Sequence, residues 1–215
     1  QNIGAYGVEI KDVLVSVDAF DLEQLELTTF TNSACKFGYR ESIFKKEAKG
    51  RFFIASVTLQ LTKKDHAINT SYGAIKDTLN TRGISNPTIK DVSDAVIAIR
   101  QSKLPDPAEL GNSGSFFKNP VIDKVHFERL LAKFPEIKSY PVDEQHFKIP
   151  AGWLIESLGW KGKVVGNTGS HKNQALVLVN YGNASGQEVK QLSEEIKHSV
   201  YETYQIHLET EVNII

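Results

Sequence analysis

The spacing of apolar residues changes along the chain from a period of two to a period near 3.6, which limits the fold to a mixture of sheets and helices. From Val13 to Leu61, the segments VLVSVDAF, LEQLELTTF and FFIASVTLQL are rich in β-branched and aromatic residues. This part is predicted to be mainly sheet. The segment from 62 to 88 is polar and turn-rich, so we expect a loop or lid there.

Helical spacing follows Thr88, which together with Asp91 resembles a capping box. Apolar residues then recur at intervals of three and four, at Ile89, Val92, Val96 and Ile99. The next segment, KLPDPAELGNSG, carries prolines and glycines that end helices, so we expect a boundary near residue 104.

The second half of the chain mixes helical and strand patterns and is predicted to be α/β. Helices are expected over Phe127 to Phe134, around WLIESLG, and after Ser185, which forms an S-x-x-E capping signature with Glu188. The segment ALVLVN reads as a strand. The closing segment IHLETEVNII alternates and predicts a last strand, with Ile206, Leu208, Val212 and Ile214 on one face.

Composition excludes several classes of function. The 215 residues include 25 Lys and Arg against 26 Asp and Glu, so no positive excess favours nucleic acid or anionic membranes. No apolar run reaches the length of about 18 to 20 residues that spans a bilayer. Cys35 is the only cysteine, which excludes an intramolecular disulfide and suits a reducing cytoplasm, and no metal site is expected. We expect a chain of one large or two small domains.

The stretch GNSGSFFKNP contains the most suggestive serine, Ser115. Its first five residues, GNSGS, resemble the G-x-S-x-G nucleophile elbow. They depart from it because the fifth residue is Ser115 instead of glycine and because no apolar strand leads into them. A flexible Gly114, the cation of Lys118 and the amide of Asn119 could hold a polar anionic ligand. A packed structural loop is an equally good interpretation of the residues alone.

Two charged residues have similar alternatives. Arg40, in KFGYRES, is either a surface cation or a guanidinium fork for a carboxylate. Glu211, on the polar face of the predicted last strand, is either solvated or an acid at the edge of a site. Four other polar residues are unremarkable singly: Tyr72, Lys103, Tyr140 and Gln174.

Seven blocks, taken in order, carry a resemblance to a known family. They are QNIGAYGVE at 1–9, FGYRESIFK at 37–45, KLPDP at 103–107, GSFFKNP at 114–120, AGWLIE at 151–156, HKNQALVLVN at 171–180 and the closing LETEV. In this order and spacing the chain resembles UDP-N-acetylenolpyruvoylglucosamine reductases, flavoenzymes that make UDP-N-acetylmuramate for peptidoglycan.

The resemblance implies an α+β fold and a chain that holds the C-terminal two-thirds of the enzyme. Family members carry about a further hundred residues, the size of a domain, before QNIGAYG. Residues 1–104 are then the remainder of a flavin-binding α+β domain, 105–205 an α/β substrate-binding domain, and 206–215 a strand that returns to the first domain.

The resemblance also assigns catalytic roles. In the family, NADPH reduces FAD, hydride passes to the enolpyruvyl methylene carbon, and an acid protonates the adjacent carbon. Ser115 matches the proton donor, and Arg40 and Glu211 match the pair that polarises the substrate carboxylate. Serine is a weak acid, so this role requires a strongly basic intermediate.

Binding roles follow in the same way. The resemblance implies contacts to the UDP-sugar from Tyr72, Lys103, Asn119, Tyr140 and Gln174. It implies contacts to FAD from Gln1, Asn2, Ile3, Gly4, Ala5 and Tyr6. Tyr72 places the chain with the subtype that closes a tyrosine-bearing loop over the nucleotide.

The expected partners are UDP-N-acetylglucosamine enolpyruvate and NADPH, without nucleic acid or membrane insertion, and we expect a cytoplasmic monomer. The alternative is a nucleotide-sugar binding module without redox activity.

Overall fold

A computed structural model describes all 215 residues and contains five α-helices and twelve β-strands. The helices are α1 (Gly73–Thr81), α2 (Ile89–Lys103), α3 (Lys124–Lys133), α4 (Ala151–Ser157) and α5 (Gly186–Tyr204). The strands are β1 (Gly4–Ala5), β2 (Val8–Glu9), β3 (Leu14–Asp21), β4 (Glu26–Thr31), β5 (Phe52–Leu59), β6 (Gly111–Ser115), β7 (Val121–Asp123), β8 (Tyr140–Pro141), β9 (His146–Lys148), β10 (Val164–Val165), β11 (Thr168–His171) and β12 (Gln174–Asn180). The predicted α+β class is confirmed.

The chain divides into two compact units, unit 1 (Gln1–Ile99) and unit 2 (Arg100–Ile215). The division falls shortly before the boundary expected near residue 104. Residues 206–215, which we expected to rejoin the first domain, are grouped with unit 2.

Unit 1 is built on an antiparallel sheet in the order β4-β3-β5. Because alternate residues of a strand face opposite sides, Val17 and Ala19 turn inward and pack with Cys35. The strand β5 lies at the edge of the sheet, and its apolar side chains Phe53 and Val57 are 66% and 51% exposed. An exposed apolar edge strand is a template for further strand pairing.

The expectation of a loop from 62 to 88 is wrong in part, because α1 occupies Gly73–Thr81. Ile75 and Leu79, one helical turn apart, are buried and pack with Ala95 and Ile99 of α2. Two apolar residues are too few to give a helical period in a polar stretch, so the helix depends on tertiary packing. The predicted helix after Thr88 is confirmed as α2.

An ion pair ties β3 to the residue before β5. The guanidinium of Arg51 donates to one oxygen of the buried Asp21 carboxylate at 2.6 and 3.0 Å and lowers the pKa of Asp21 to about 2. A carboxyl group whose folded pKa is depressed stabilises the fold above its unfolded pKa, near 3.8. That stabilisation is lost as the pH falls from there through about 2.

We therefore expect Asp21→Asn to flatten the acid limb of the stability curve. Urea unfolding at pH 7 and pH 3 measures this. The wild-type chain should lose more stability between the two pH values than the variant, and Asp77→Asn on the exposed face of α1 should behave like wild type. An unchanged acid limb in Asp21→Asn would contradict the role of this pair.

One buried hydroxyl has no hydrogen-bond partner. The Oγ of Ser42, which precedes a single 3-10 turn at Ile43–Lys45, is buried and unpaired. An unsatisfied buried polar group costs about 1–3 kcal/mol. Ser185, by contrast, accepts a hydrogen bond from the backbone N–H of Glu188 and completes the predicted capping box of α5.

These two serines predict opposite results in urea unfolding. Ser42→Ala should leave the free energy of unfolding unchanged or raise it by about 1 kcal/mol, since it removes an unpaired hydroxyl. Ser185→Ala should lower it by about 1 kcal/mol, since it removes a helix cap. Destabilisation by Ser42→Ala equal to that of Ser185→Ala would mean that the Ser42 hydroxyl is paired in solution.

Unit 2 holds two antiparallel sheets, in the orders β10-β11-β12-β6 and β7-β9-β8. Helices α4 and α5 pack on β12 and bury an apolar core that includes Leu154, Ile155, Val200 and Ile196. The predicted helices at Phe127 to Phe134, WLIESLG and after Ser185, and the strand ALVLVN, are confirmed as α3, α4, α5 and β12. All strand pairs of this unit are antiparallel.

The predicted last strand is wrong, because the closing segment is not a strand, but part of its predicted burial pattern is correct. Ile206 and Leu208 are buried, while Ile214 is half-exposed. The segment forms a single bridge, from Thr210 to Phe117, instead of a ladder. Alternation therefore places side chains on two faces without requiring a neighbouring strand along the whole segment.

Candidate active site

Ser115 is the last residue of β6, where its side chain is exposed at the edge of the unit 2 core. The strand pairs with β12 through Ser115 and Val177. Just before it, Gly114 has a φ of 74°, a left-handed conformation that favours glycine, and its N–H donates to the Asn112 side chain. The serine is therefore held by a strand and a defined turn.

Phe116 and Phe117 anchor this stretch to the core. Both are almost completely buried, at 4% and 1% exposure, and their ring centroids lie 5.2 Å apart. These two buried side chains hold the backbone next to Ser115 against the core of unit 2.

Glu211 is brought next to this stretch by backbone pairing. Its N–H donates to the carbonyl of Phe116 at 2.8 Å, and the N–H of Lys118 donates to the carbonyl of Glu209 at 2.9 Å. The Lys118 ammonium also contacts the Glu209 carboxylate at 2.8 Å. The residues that follow Ser115 are thus paired with those around Glu211, although the two segments are far apart in sequence.

Arg40 lies in unit 1, in a turn closed by two hydrogen bonds between Gly38 and Glu41. Its φ of 54° is left-handed, which is uncommon outside glycine and frequent at functional sites. The guanidinium Nη2 donates to the carbonyl of Gly4 at 2.8 Å. The arginine is therefore tied to the start of the chain.

The six residues expected at FAD differ in burial, and Gly4 and Tyr6 are intermediate. Gln1, Ile3 and Ala5 are exposed, whereas the side chain of Asn2 is buried and bonded within unit 1. A Cβ at Gly4 would come within 2.7 Å of the Glu9 side chain, so this glycine serves the packing of β1 on β2. The side chains of Gln1, Ile3 and Ala5, and part of the Tyr6 ring, are therefore accessible to a ligand.

Tyr72 precedes α1 and is 48% exposed. Its ring makes an edge-to-face contact with Tyr6, with the ring centroids 5.2 Å apart. Within unit 1, a residue expected to contact FAD, Tyr6, therefore packs against the tyrosine expected to contact the nucleotide, Tyr72.

Two of the amides expected at the UDP-sugar meet at the start of α4. The side-chain oxygen of Asn119 accepts from the N–H of Ala151 at 2.9 Å, which leaves its NH2 group for other partners. The Gln174 side-chain oxygen would lie 3.6 Å from a Cβ placed on Gly152. Tyr140, on β8, and Lys103, at the end of α2, are exposed, and no hydrogen bond joins them to this pair.

Unit 2 contains an open cavity of about 820 Å³, whose lining includes Gly114, the residue before Ser115. Its lining includes His171, a buried residue whose role the sequence did not indicate, although it opens the block HKNQALVLVN. Burial, together with the nearby charge of Lys172, lowers the pKa of His171 and favours the neutral imidazole. Arg100 and Asn173 supply further polar groups to this cavity.

No group of three or more His, Cys, Asp or Glu side chains is placed to hold a metal ion. None of the helices combines the length and the apolar character that crossing a bilayer requires.

The fold and these residues define an α+β protein whose C-terminal unit presents a serine and a glutamate on adjoining segments. The family model described as "UDP-N-acetylenolpyruvoylglucosamine reductase, C-terminal domain" matches residues 106–215. The chain belongs to the UDP-N-acetylenolpyruvoylglucosamine reductase family.

Relatives of that name span more than this chain. The protein from Flavobacterium johnsoniae is 62% identical over the whole chain, which covers 64% of that protein, and the one from Pseudomonas aeruginosa is 48% identical, with 62% covered. The crystal structure of UDP-N-acetylenolpyruvylglucosamine reductase (MurB) from Thermus caldophilus aligns with a TM-score of 0.60 at 20% identity, over 99% of this chain and 56% of that one. That similarity supports the fold.

Proposed function

We propose that the protein containing this chain reduces UDP-N-acetylglucosamine enolpyruvate to UDP-N-acetylmuramate, a step of peptidoglycan precursor synthesis in the cytoplasm. The observation that carries this proposal is the pairing of the stretch after Ser115 with the residues around Glu211. The high identity to relatives named as this reductase supports it further. The chain spans less than two thirds of the length of those two relatives, 64% and 62%.

Reduction of an enolpyruvyl group sets two demands on the protein. Addition of hydride to the methylene carbon pushes negative charge toward the substrate carboxylate, and the adjacent carbon then takes a proton. Arg40, with its forked donors, would bind the carboxylate more tightly as this charge grows. Glu211 would support the enolic intermediate.

Ser115 would supply the proton. A hydroxyl is a weak acid, so it can act only on a carbanion-like, strongly basic carbon. Its place at the end of a strand, next to two buried phenylalanines, fixes its backbone and leaves its side chain exposed to a substrate. Lys118 already contacts Glu209, so stabilisation of the alkoxide would have to include other donors.

The exposed side chains of Ile3 and Ala5, with the partly buried ring of Tyr6, offer apolar contacts to a planar cofactor, and the exposed amide of Gln1 could form a hydrogen bond with it. FAD, once reduced by NADPH, would supply the hydride when bound. The buried Asn2 does not fit this role, because its amide is already bonded inside unit 1. Tyr72, Lys103, Asn119, Tyr140 and Gln174 would contact the UDP-sugar.

The test is NADPH oxidation by the full-length protein with and without UDP-N-acetylglucosamine enolpyruvate, together with a visible absorption spectrum for flavin. We expect a flavin spectrum and oxidation that depends on the enolpyruvyl sugar. A full-length protein without flavin, or one that ignores this substrate, would overturn the proposal.

The second candidate is a nucleotide-sugar binding module without redox activity, which the partial coverage of the relatives favours for the 215-residue chain itself. A calorimetric titration of the chain with the enolpyruvyl UDP-sugar, next to its absorption spectrum, separates the two. Binding without flavin supports the module for this chain. A yellow chain that oxidises NADPH rules it out.

A further inference from the structure

The guanidinium of Arg40 depends on contacts outside its own turn. A left-handed residue in a four-residue turn fixes the direction in which the side chain leaves, but not the position of the turn. The guanidinium reaches the carbonyl of Gly4, so its aim changes whenever β1 moves relative to the turn. A contact that fixes these two segments relative to each other therefore also fixes the direction of the guanidinium.

Asn2 supplies that contact. Its Nδ2 donates to the carbonyl of Gly38, the first residue of the turn, at 2.9 Å, and to the Glu9 carboxylate at 3.0 Å. Its Oδ1 accepts from the N–H of Lys11 at 3.1 Å. One side chain thus connects the Arg40 turn with β2 and with the turn that follows β2.

Burial makes this connection rigid. Asn2 is 1% exposed and has a left-handed φ of 50°, a conformation that asparagine tolerates better than most residues. The Gly38 carbonyl accepts from Asn2 and from Glu41 N–H, so the amide is bonded directly to the hydrogen bonds that close the turn. Displacement of a catalytic group by about 1 Å can cost about 100-fold in rate.

We propose that Asn2 is a positioning residue, which holds the turn of Arg40 against the hairpin of β1 and β2, so that the guanidinium keeps its direction toward the substrate carboxylate. This inference rests on the proposed function and assigns to Asn2 a role other than the flavin contact expected from the resemblance.

Two variants test this role in the full-length protein. Asn2→Gly removes the side chain and keeps a left-handed backbone without strain. Asn2→Asp keeps the shape but replaces the donors with a carboxylate oxygen that faces Glu9 and the Gly38 carbonyl. Asn86→Asp, in the exposed loop before α2, is the matched control.

We expect both Asn2 variants to lower kcat for the enolpyruvyl substrate by about 10- to 100-fold. Reduction of bound flavin by NADPH, measured by stopped flow, should stay within about twofold of wild type. When either Asn2 variant is combined with Arg40→Lys, kcat should fall little further than in Arg40→Lys alone. A displaced arginine and a lysine in its place both remove the same interaction with the substrate carboxylate. Asn86→Asp should have no effect.

Additive losses in the double variants, wild-type rates, or loss of flavin would overturn the inference. If the wild-type protein itself does not reduce the substrate, the proposed function has failed instead.

A measurement that does not depend on catalysis tests the same role in variants that lose activity for other reasons. In the ¹⁵N spectrum of the 215-residue chain, the Arg40 Nε–H signal, assigned by its absence in Arg40→Lys, should be well dispersed in wild type. In Asn2→Gly it should move to the position of a freely rotating arginine, while backbone signals of unit 2 stay unchanged. An unchanged Arg40 signal would also overturn the inference.

Discussion

Ser115→Ala is expected to slow substrate reduction in the full-length protein by a factor on the order of 10²–10⁴, the usual contribution of a general acid. Alanine keeps the backbone of β6 and removes only the exposed hydroxyl, so the fold should survive. Reduction of flavin by NADPH involves no protonation of the substrate carbon and should continue at nearly the wild-type rate. Stopped-flow absorbance follows the two half-reactions separately.

Two further variants sharpen this result. Ser115→Cys retains an ionisable proton at the same position and should keep more activity than alanine. Ser93→Ala, on the exposed face of α2, should leave both half-reactions unchanged. An equal loss of both half-reactions in Ser115→Ala would show that the serine supports the fold or the cofactor instead of donating a proton.

Arg40→Lys is expected to lower kcat for the enolpyruvyl substrate by about 10²–10³, the usual effect of losing one charge-stabilising donor. Lysine keeps the positive charge but presents a compact ammonium in place of two parallel N–H donors. Because the interaction strengthens as charge builds on the carboxylate, kcat should fall more than the Michaelis constant rises. Steady-state kinetics of the full-length variant measure both constants.

The control for this variant is Arg82→Lys, at the exposed end of α1, which should be neutral. A variant that raises the Michaelis constant and leaves kcat unchanged would assign Arg40 to binding of the ground state only.

Much of the fold follows from the order of the residues because each long element has a strong local signal. Four apolar positions at helical spacing behind a capping box (Val189, Leu192, Ile196 and Val200) are enough to predict α5, and the β-branched runs from Val13 onward are enough to predict β3. The failures share one cause. Helix α1 rests on two buried side chains, and the closing segment rests on a single bridge, so both depend on neighbours that lie elsewhere in the chain.

The candidate site was likewise predictable only in part from the sequence. Sequence resemblance could propose Ser115, Arg40 and Glu211, but no spacing indicates that the Glu211 N–H meets the Phe116 carbonyl. The inward direction of Asn2 was also hidden, because a short polar stretch carries no periodic signal. His171 could have been noticed only as the first residue of a matching block.

The bridge between Phe117 and Thr210 has a consequence for the order in which the protein folds. The side chains of Lys118 and Glu209 that flank it are separated by 91 positions in sequence. Closing so long a loop is entropically costly and comes late in folding unless local structure prepares it. An intermediate that holds only hairpins and helices would keep Ser115 and Glu211 apart, so the recovery of turnover during refolding should lag behind the recovery of helical circular dichroism.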